Sequence, residues 1–130
     1  MKRDLENRED IVVVLQAFYQ QATQDPQIGH FFTDVIKLDI QEHIPVIANF
    51  WEAILFGSRT YGKNVMEVHQ HIHQLSSIKK EHLDRWVKLF TQTVDHFFEG
   101  EKAILMKQRG RSIATLMDIK LNHNQISNTK

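Results

Sequence analysis

Apolar residues recur along this chain at steps of three and four, and clean alternation over a strand length is missing, so the pattern predicts amphipathic helices throughout. Ile11, Val14, Leu15, Phe18 and Ala22 share one face of a helix predicted from Asp10 to Thr23, the core-facing stripe of a two-sided helix. Val12 to Val14 alone would suit a strand, but the length of the periodic stretch favours helix. It stops at "QDPQIG", where Pro26 cannot continue an incoming helix and Gly29 permits a turn. A short apolar piece, "HFFTDVIKL", then crosses to Asp39.

Asp39 followed by Glu42 has the spacing of a capping box, and Ile40, Ile44, Ile47, Trp51, Ile54 and Leu55 continue as a stripe. Pro45 in the early turns predicts a kink or a tightened first turn. "FGSRTYGKN" is the longest loop-like stretch, and Asn64 with Glu67 opens a short helix through about Ile72. A long helix is predicted near Lys80 to Phe98, with Leu83, Trp86, Val87, Phe90, Val94 and Phe97 inward and Gly100 ending it. The last runs from Glu101 to about Leu121 and buries Ala103, Met106, Ile113, Ala114 and Met117, with Gly110 where a crossing helix can come close. "NHNQISNTK", from about residue 122, is expected to fray. The fold class is all-α.

Composition narrows this picture. At 130 residues the chain is expected to form a single domain, 1–130, large enough to bury about two thirds of its unfolded surface. Lys plus Arg balances Asp plus Glu at 16 each, so no bulk charge points to nucleic acid or an anionic membrane. The absence of cysteine removes disulfides, thiolate metal sites and cysteine nucleophiles. The start, "MKRDLENRED", has no apolar stretch of signal-peptide length and no apolar run approaches a membrane span. A cytoplasmic, monomeric protein is expected.

The chemistry concentrates in histidine. "VHQHIHQL" sets three of the chain's eight histidines at alternate positions. On a helical wheel whose buried face is marked by Val65, Met66, Val68 and Ile72, His69 falls near the centre, His73 on the shoulder and His71 on the far side. An imidazole aimed into an apolar interior costs about 1–3 kcal/mol unless its nitrogens find partners. His69 is therefore either a satisfied core histidine or a ligand. His43 shares a face with Ile47, Phe50 and Ile54 at steps of four, three and four, so it too looks toward apolar company. Tyr19 and Trp86 add polar tips to buried stripes, and such groups find partners when buried.

Motif absences trim the options. There is no Glu-x-x-His pair for a dinuclear carboxylate site and no H-E-x-x-H; His69 and His73 at i, i+4 could share a zinc ion, but the sequence names no third ligand for it. No G-x-S-x-G, P-loop or G-x-G-x-x-G appears. An apolar slot with one imidazole on one side and hydrogen-bond donors on the other is what a haem requires.

The order of motifs resembles the truncated haemoglobins, specifically group III. "AFYQQATQDPQIGHFF", "HIPVIANFW", "YGKNVMEVHQHI", "HLDRWVKLFTQTVDHFF" and "KQRGRSIATLM" carry the resemblance from about Ile11 to Met117. Where that family often reads Asn-Pro-Met before its proximal turn, this chain reads Asn64-Val65-Met66. The resemblance implies a globin-like, truncated two-over-two helical sandwich around haem b (iron protoporphyrin IX). It places the proximal iron ligand at His69 and the distal polar groups at Tyr19, His43 and Trp86. Phe32 would pack the haem edge, and Ile47, Phe50, Met66 and Ile72 fall in the same pocket.

It further implies binding of dioxygen, nitric oxide or carbon monoxide at the iron. Tyr19 and Trp86 would hold oxygen tightly, which suits nitric oxide and oxygen chemistry or sensing more than bulk transport. Nitric oxide dioxygenation or peroxide turnover would draw electrons from a separate reductase. The alternative is a haem-free helical interaction or sensor module.

Overall fold

The computed structural model describes residues 2–32, 39–57 and 78–123. Among these residues the regular structure is helical, with four long helices: α1 (Arg8–Ala22), α2 (Ile40–Phe56), α3 (Lys80–Phe97) and α4 (Glu101–Asp118). A π-helical turn, Ile119–His123, extends α4. Helix α1 packs with α2 and α3 with α4, and the pairs meet where α1 lies on α3 and α2 on α4. This is a two-over-two arrangement. No helix among the described residues is long and apolar enough to cross a membrane.

The helix starts show why these boundaries hold. Helix α1 begins two residues before the predicted Asp10 because the Asn7 side chain accepts the Asp10 N–H at 3.1 Å, satisfying one of the donors a helix start leaves unpaired. Asp39 caps α2 as its spacing predicted, accepting the Glu42 N–H at 3.3 Å. The helix runs on through Pro45, whose carbonyl accepts from Arg8 Nη2 at 3.1 Å. The same guanidinium reaches Asn49 at 2.6 Å and Glu52 at 3.0 Å, which sets the register of α2 against α1. Helix α2 ends at Gly57, in the left-handed conformation at φ 76°, where glycine carries no Cβ penalty.

Helix α4 is capped from the far end of the chain. Asp4 Oδ2 and Oδ1 accept the N–H groups of Lys102 and Ala103 at 2.8 and 2.9 Å. A Cβ at Gly100 would stand 2.6 Å from the Asp4 carboxyl carbon, and Gly100 holds φ at 143°, so two constraints converge on glycine here.

The core is one cluster: Ile11, Val14, Leu15 and Phe18 from α1, Ile44, Ala48, Trp51 and Leu55 from α2, Phe90 and Val94 from α3, and Met106, Ala114 and Met117 from α4. Two expectations need correction on α3. Phe97 is exposed, and Leu89, absent from the predicted stripe, is buried. The helix ends at Phe97, the backbone turns extended at Phe98 (φ −138°, ψ 156°), and the Phe98 ring takes the inward position. Gly110 does mark the predicted close approach, since a Cβ there would lie 2.9 Å from the Phe90 ring.

Helix α3 starts with a titratable cap. His82, three residues past Lys79, accepts the Lys79 N–H on Nδ1 at 2.9 Å. Burial lowers its pKa below the ordinary 6.5, with the nearby His30 and Lys79 adding to the shift and Glu81 opposing it. A group that folding keeps neutral favours the folded state fully above about 6.5, and that contribution fades as the pH falls below it. In His82→Gln the amide oxygen can serve the same cap without titrating. The variant is expected to lose less of its urea midpoint than wild type between pH 7 and 5; parallel losses would remove His82 from the acid response.

Candidate functional site

Four of the residues singled out in the sequence come together around the α1–α2 contact. Tyr19 follows Leu15 and Phe18 on the buried face of α1, and His43 lies in the second turn of α2. The Tyr19 hydroxyl and His43 Nε2 are hydrogen-bonded at 2.9 Å. Their rings meet edge to face at 5.2 Å, and Phe32 meets Tyr19 the same way at 5.7 Å. The Tyr19 ring is buried, and burial pushes its phenol well above the ordinary 10. The phenol therefore stays protonated across the physiological range.

Trp86 joins through an intermediate. The Phe18 ring contacts Tyr19 at 5.1 Å and Trp86 at 5.7 Å, both edge to face. On its other side Trp86 stacks on Phe90 at 5.2 Å with the planes 5° apart, and Phe90 stacks in turn on Trp51 at 5.3 Å. The indole is thus fixed in orientation by two neighbours. Phe32, Ile47, Phe50 and Trp86 are only partly buried while packing on the core. Partly covered apolar side chains, together with a hydroxyl, an imidazole and an indole N–H, are the kinds of groups that line a site for an apolar ligand with a polar part.

Among the described residues no three His, Cys, Asp or Glu side chains are grouped to hold a metal ion. No buried side-chain N or O atom among them lacks a hydrogen-bond partner. His69, Met66 and Ile72, expected to build the opposite wall, lie outside the described residues, as do His71 and His73. Of the candidate site residues, those described are Tyr19, His43, Phe32, Ile47, Phe50 and Trp86.

Two features are not evident from the sequence. Phe18 was expected in the core but not as the joint between Tyr19 and Trp86. Asp25 and Arg85 form an ion pair, with Nε of Arg85 donating to Asp25 Oδ2 at 2.8 Å and Nη2 2.7 Å from the same oxygen. Asp25 beside Pro26 reads as a turn residue, and nothing local pairs it with an arginine sixty residues on.

Known proteins share the fold. No family model matches the chain. The group 3 truncated hemoglobin ctb of Campylobacter jejuni is 27% identical over 118 residues, spanning 88% of this chain and 91% of that protein. The crystal structure of a group III truncated hemoglobin from Campylobacter jejuni superposes with a TM-score of 0.81 at 27% identity, covering 93% of this chain and 95% of that one. The fold is the truncated two-over-two globin fold.

Proposed function

From the premise that this chain is similar to group III truncated haemoglobins over nearly its whole length, we propose that it is a haem-binding globin that holds dioxygen and other diatomic ligands. The observation that carries the reading is the Tyr19–His43 hydrogen bond of 2.9 Å set among half-covered aromatic and aliphatic side chains. It supplies a polar tip inside an apolar slot.

The residues present fit haem b. His69 would ligate the iron through Nε2, its other ring nitrogen held by a carbonyl or water that fixes the tautomer. Phe32, Ile47, Phe50, Met66 and Ile72 would pack the macrocycle. Haem supplies an iron that binds a diatomic ligand reversibly.

The protein's own part is proton placement. One proton lies between the Tyr19 oxygen and His43 Nε2. If it belongs to the phenol, Tyr19 donates to His43 and has no donor left for a ligand. If it belongs to Nε2, His43 donates to Tyr19, and the phenol O–H turns freely toward the pocket. A ligand that gathers negative charge selects the second arrangement, with Trp86 N–H as the other donor. Donors held in a dry pocket and aimed at developing charge bind it more strongly than water does.

Strong retention of oxygen favours nitric oxide and oxygen chemistry or sensing over transport. Turnover would take electrons from a separate reductase, and the chain would work as a monomer in the cytoplasm.

Absorption spectra of ferric, ferrous and carbon-monoxide forms test the reading. Wild type is expected to take up haem and give a single-histidine ferrous spectrum that shifts on carbon monoxide. His69→Ala is expected to lose most haem affinity, or to regain a histidine-like spectrum only with added imidazole. A wild-type protein that stays colourless with haem supplied, or a His69→Ala spectrum identical to wild type, overturns it.

A further inference from the structure

Two walls of the pocket come from segments far apart in the chain. The turn after α1 carries Phe32, and α3 carries Trp86. What holds them at a fixed spacing is one carboxylate. Asp25 Oδ1 accepts the N–H groups of Gln27 and Ile28 at 2.9 and 3.3 Å, which closes the turn. Asp25 Oδ2 accepts from Nε of Arg85 at 2.8 Å and lies 2.7 Å from its Nη2 in an ion pair. Both oxygens are therefore committed, one to each wall.

The turn is fixed on its own side as well. Thr23 Oγ1 donates to the Tyr19 carbonyl at 2.8 Å. The Gly29 N–H reaches the Asp25 carbonyl at 2.9 Å, and a Cβ on Gly29 would stand 2.6 Å from the Thr23 carbonyl oxygen. Tyr19, the turn and Asp25 thus form one rigid piece. Arg85 immediately precedes Trp86 on α3, so the guanidinium that grips this piece is the covalent neighbour of the indole. The Asp25 side chain is 3% exposed and that of Arg85 30%, so the pair is only partly screened by water. Burial alone would raise the Asp25 carboxyl, yet Arg85 and the two turn N–H groups hold it below the usual range.

We propose that Asp25 and Arg85 are positioning residues of the ligand pocket: their ion pair sets where the Trp86 indole N–H stands relative to the Tyr19 hydroxyl. The inference rests on the haem reading above. Neither residue touches the ligand; each acts through the wall it carries. A planar guanidinium is suited to this because the Nε–H bond, with Nη2 held in ion-pair range of the same oxygen, fixes direction as well as distance, which an ammonium does not.

The test compares wild type, Arg85→Gln, Arg85→Lys and Asp25→Asn by two readouts. The first is the stretching band of carbon monoxide on the haem-loaded protein, which responds to polar groups near the ligand. The second is solvent exchange of the Trp86 indole proton in the haem-free protein, followed by NMR. In Arg85→Gln and Asp25→Asn the band is expected to shift and broaden, indole exchange to accelerate, and oxygen to dissociate roughly tenfold faster, the loss of about one hydrogen bond to a charged acceptor.

Arg85→Lys keeps the charge without the fork and is expected to recover the band only in part. If Arg85→Gln does not fold, Arg85→Lys and Asp25→Asn decide by the same readouts. Variants that melt at lower temperature while band and exchange stay as in wild type reduce the pair to a structural tie and overturn the inference alone. A wild-type protein that takes up no haem overturns the haem reading first and this one with it.

Discussion

Oxygen is expected to leave the Tyr19→Phe variant about 10–100 times faster than wild type, the loss of one hydrogen bond to a charged acceptor at about 1.5–3 kcal/mol. Phenylalanine keeps the ring that meets Phe18 at 5.1 Å and Phe32 at 5.7 Å, so the pocket walls should stay in place. What disappears is the O–H and, with it, the partner of His43 Nε2 at 2.9 Å. Two opposing effects follow. The ligand loses a donor, while the imidazole, no longer bonded to the phenol, can offer an N–H of its own to the ligand. The first should dominate, because Tyr19 is held in the core by its whole ring, whereas His43 is half-buried and would spend entropy to take over the role. Carbon monoxide gathers far less negative charge than oxygen, so its dissociation should change much less. Stopped-flow measurement of both ligands checks this. Equal acceleration of the two would point to an opened pocket in place of a lost donor, and unchanged rates would remove Tyr19 from ligand retention.

The helices and most of the pocket's described half were legible in the sequence because they rest on local rules. The stripe of α3 and the Asp39 cap with its Glu42 N–H are short-range patterns, and Tyr19, His43 and Trp86 stand out as polar groups on apolar faces. What was not legible depends on partners that sequence spacing does not reveal. Asp4 caps α4 across 98 residues and Arg85 grips Asp25 across 60. In neither case does the local sequence favour one partner over another. The outward turn of Phe97 was missed for a different reason: periodicity continues through a helix end, but the backbone does not, and Phe98 takes the buried place. The polar groups of the candidate site are thus marked locally, whereas the long-range pairs that tie their elements together are not.

The aromatic stack beneath the pocket gives the largest expected effect on stability. Phe90 is 1% exposed and lies between two nearly parallel indoles, Trp86 at 5.2 Å and Trp51 at 5.3 Å, with Phe18 against its edge at 5.6 Å. Phe90→Ala is expected to cost about 3–5 kcal/mol, toward the upper end because rigid rings collapse poorly into a void. Against a total stability of roughly 5–15 kcal/mol for a domain, that is a large share. The opposite wall of the void is Gly110, which has no side chain to fill it, and this supplies a sharper test. Gly110→Ala alone puts a Cβ 2.9 Å from two Phe90 ring atoms, and a ring clamped between two indoles has little room to yield, so overpacking should cost about 1–3 kcal/mol. In the Phe90→Ala background the clash is gone. The same methyl then enters the void, and alanine's helix preference over glycine, about 1 kcal/mol, is free to act. The substitution should therefore change sign, destabilising in wild type and stabilising in the cavity variant. Urea unfolding of the four proteins measures the coupling directly. Additive effects would mean that Phe90 and Gly110 are not in contact, and that the orientation of Trp86 is set by something other than this stack.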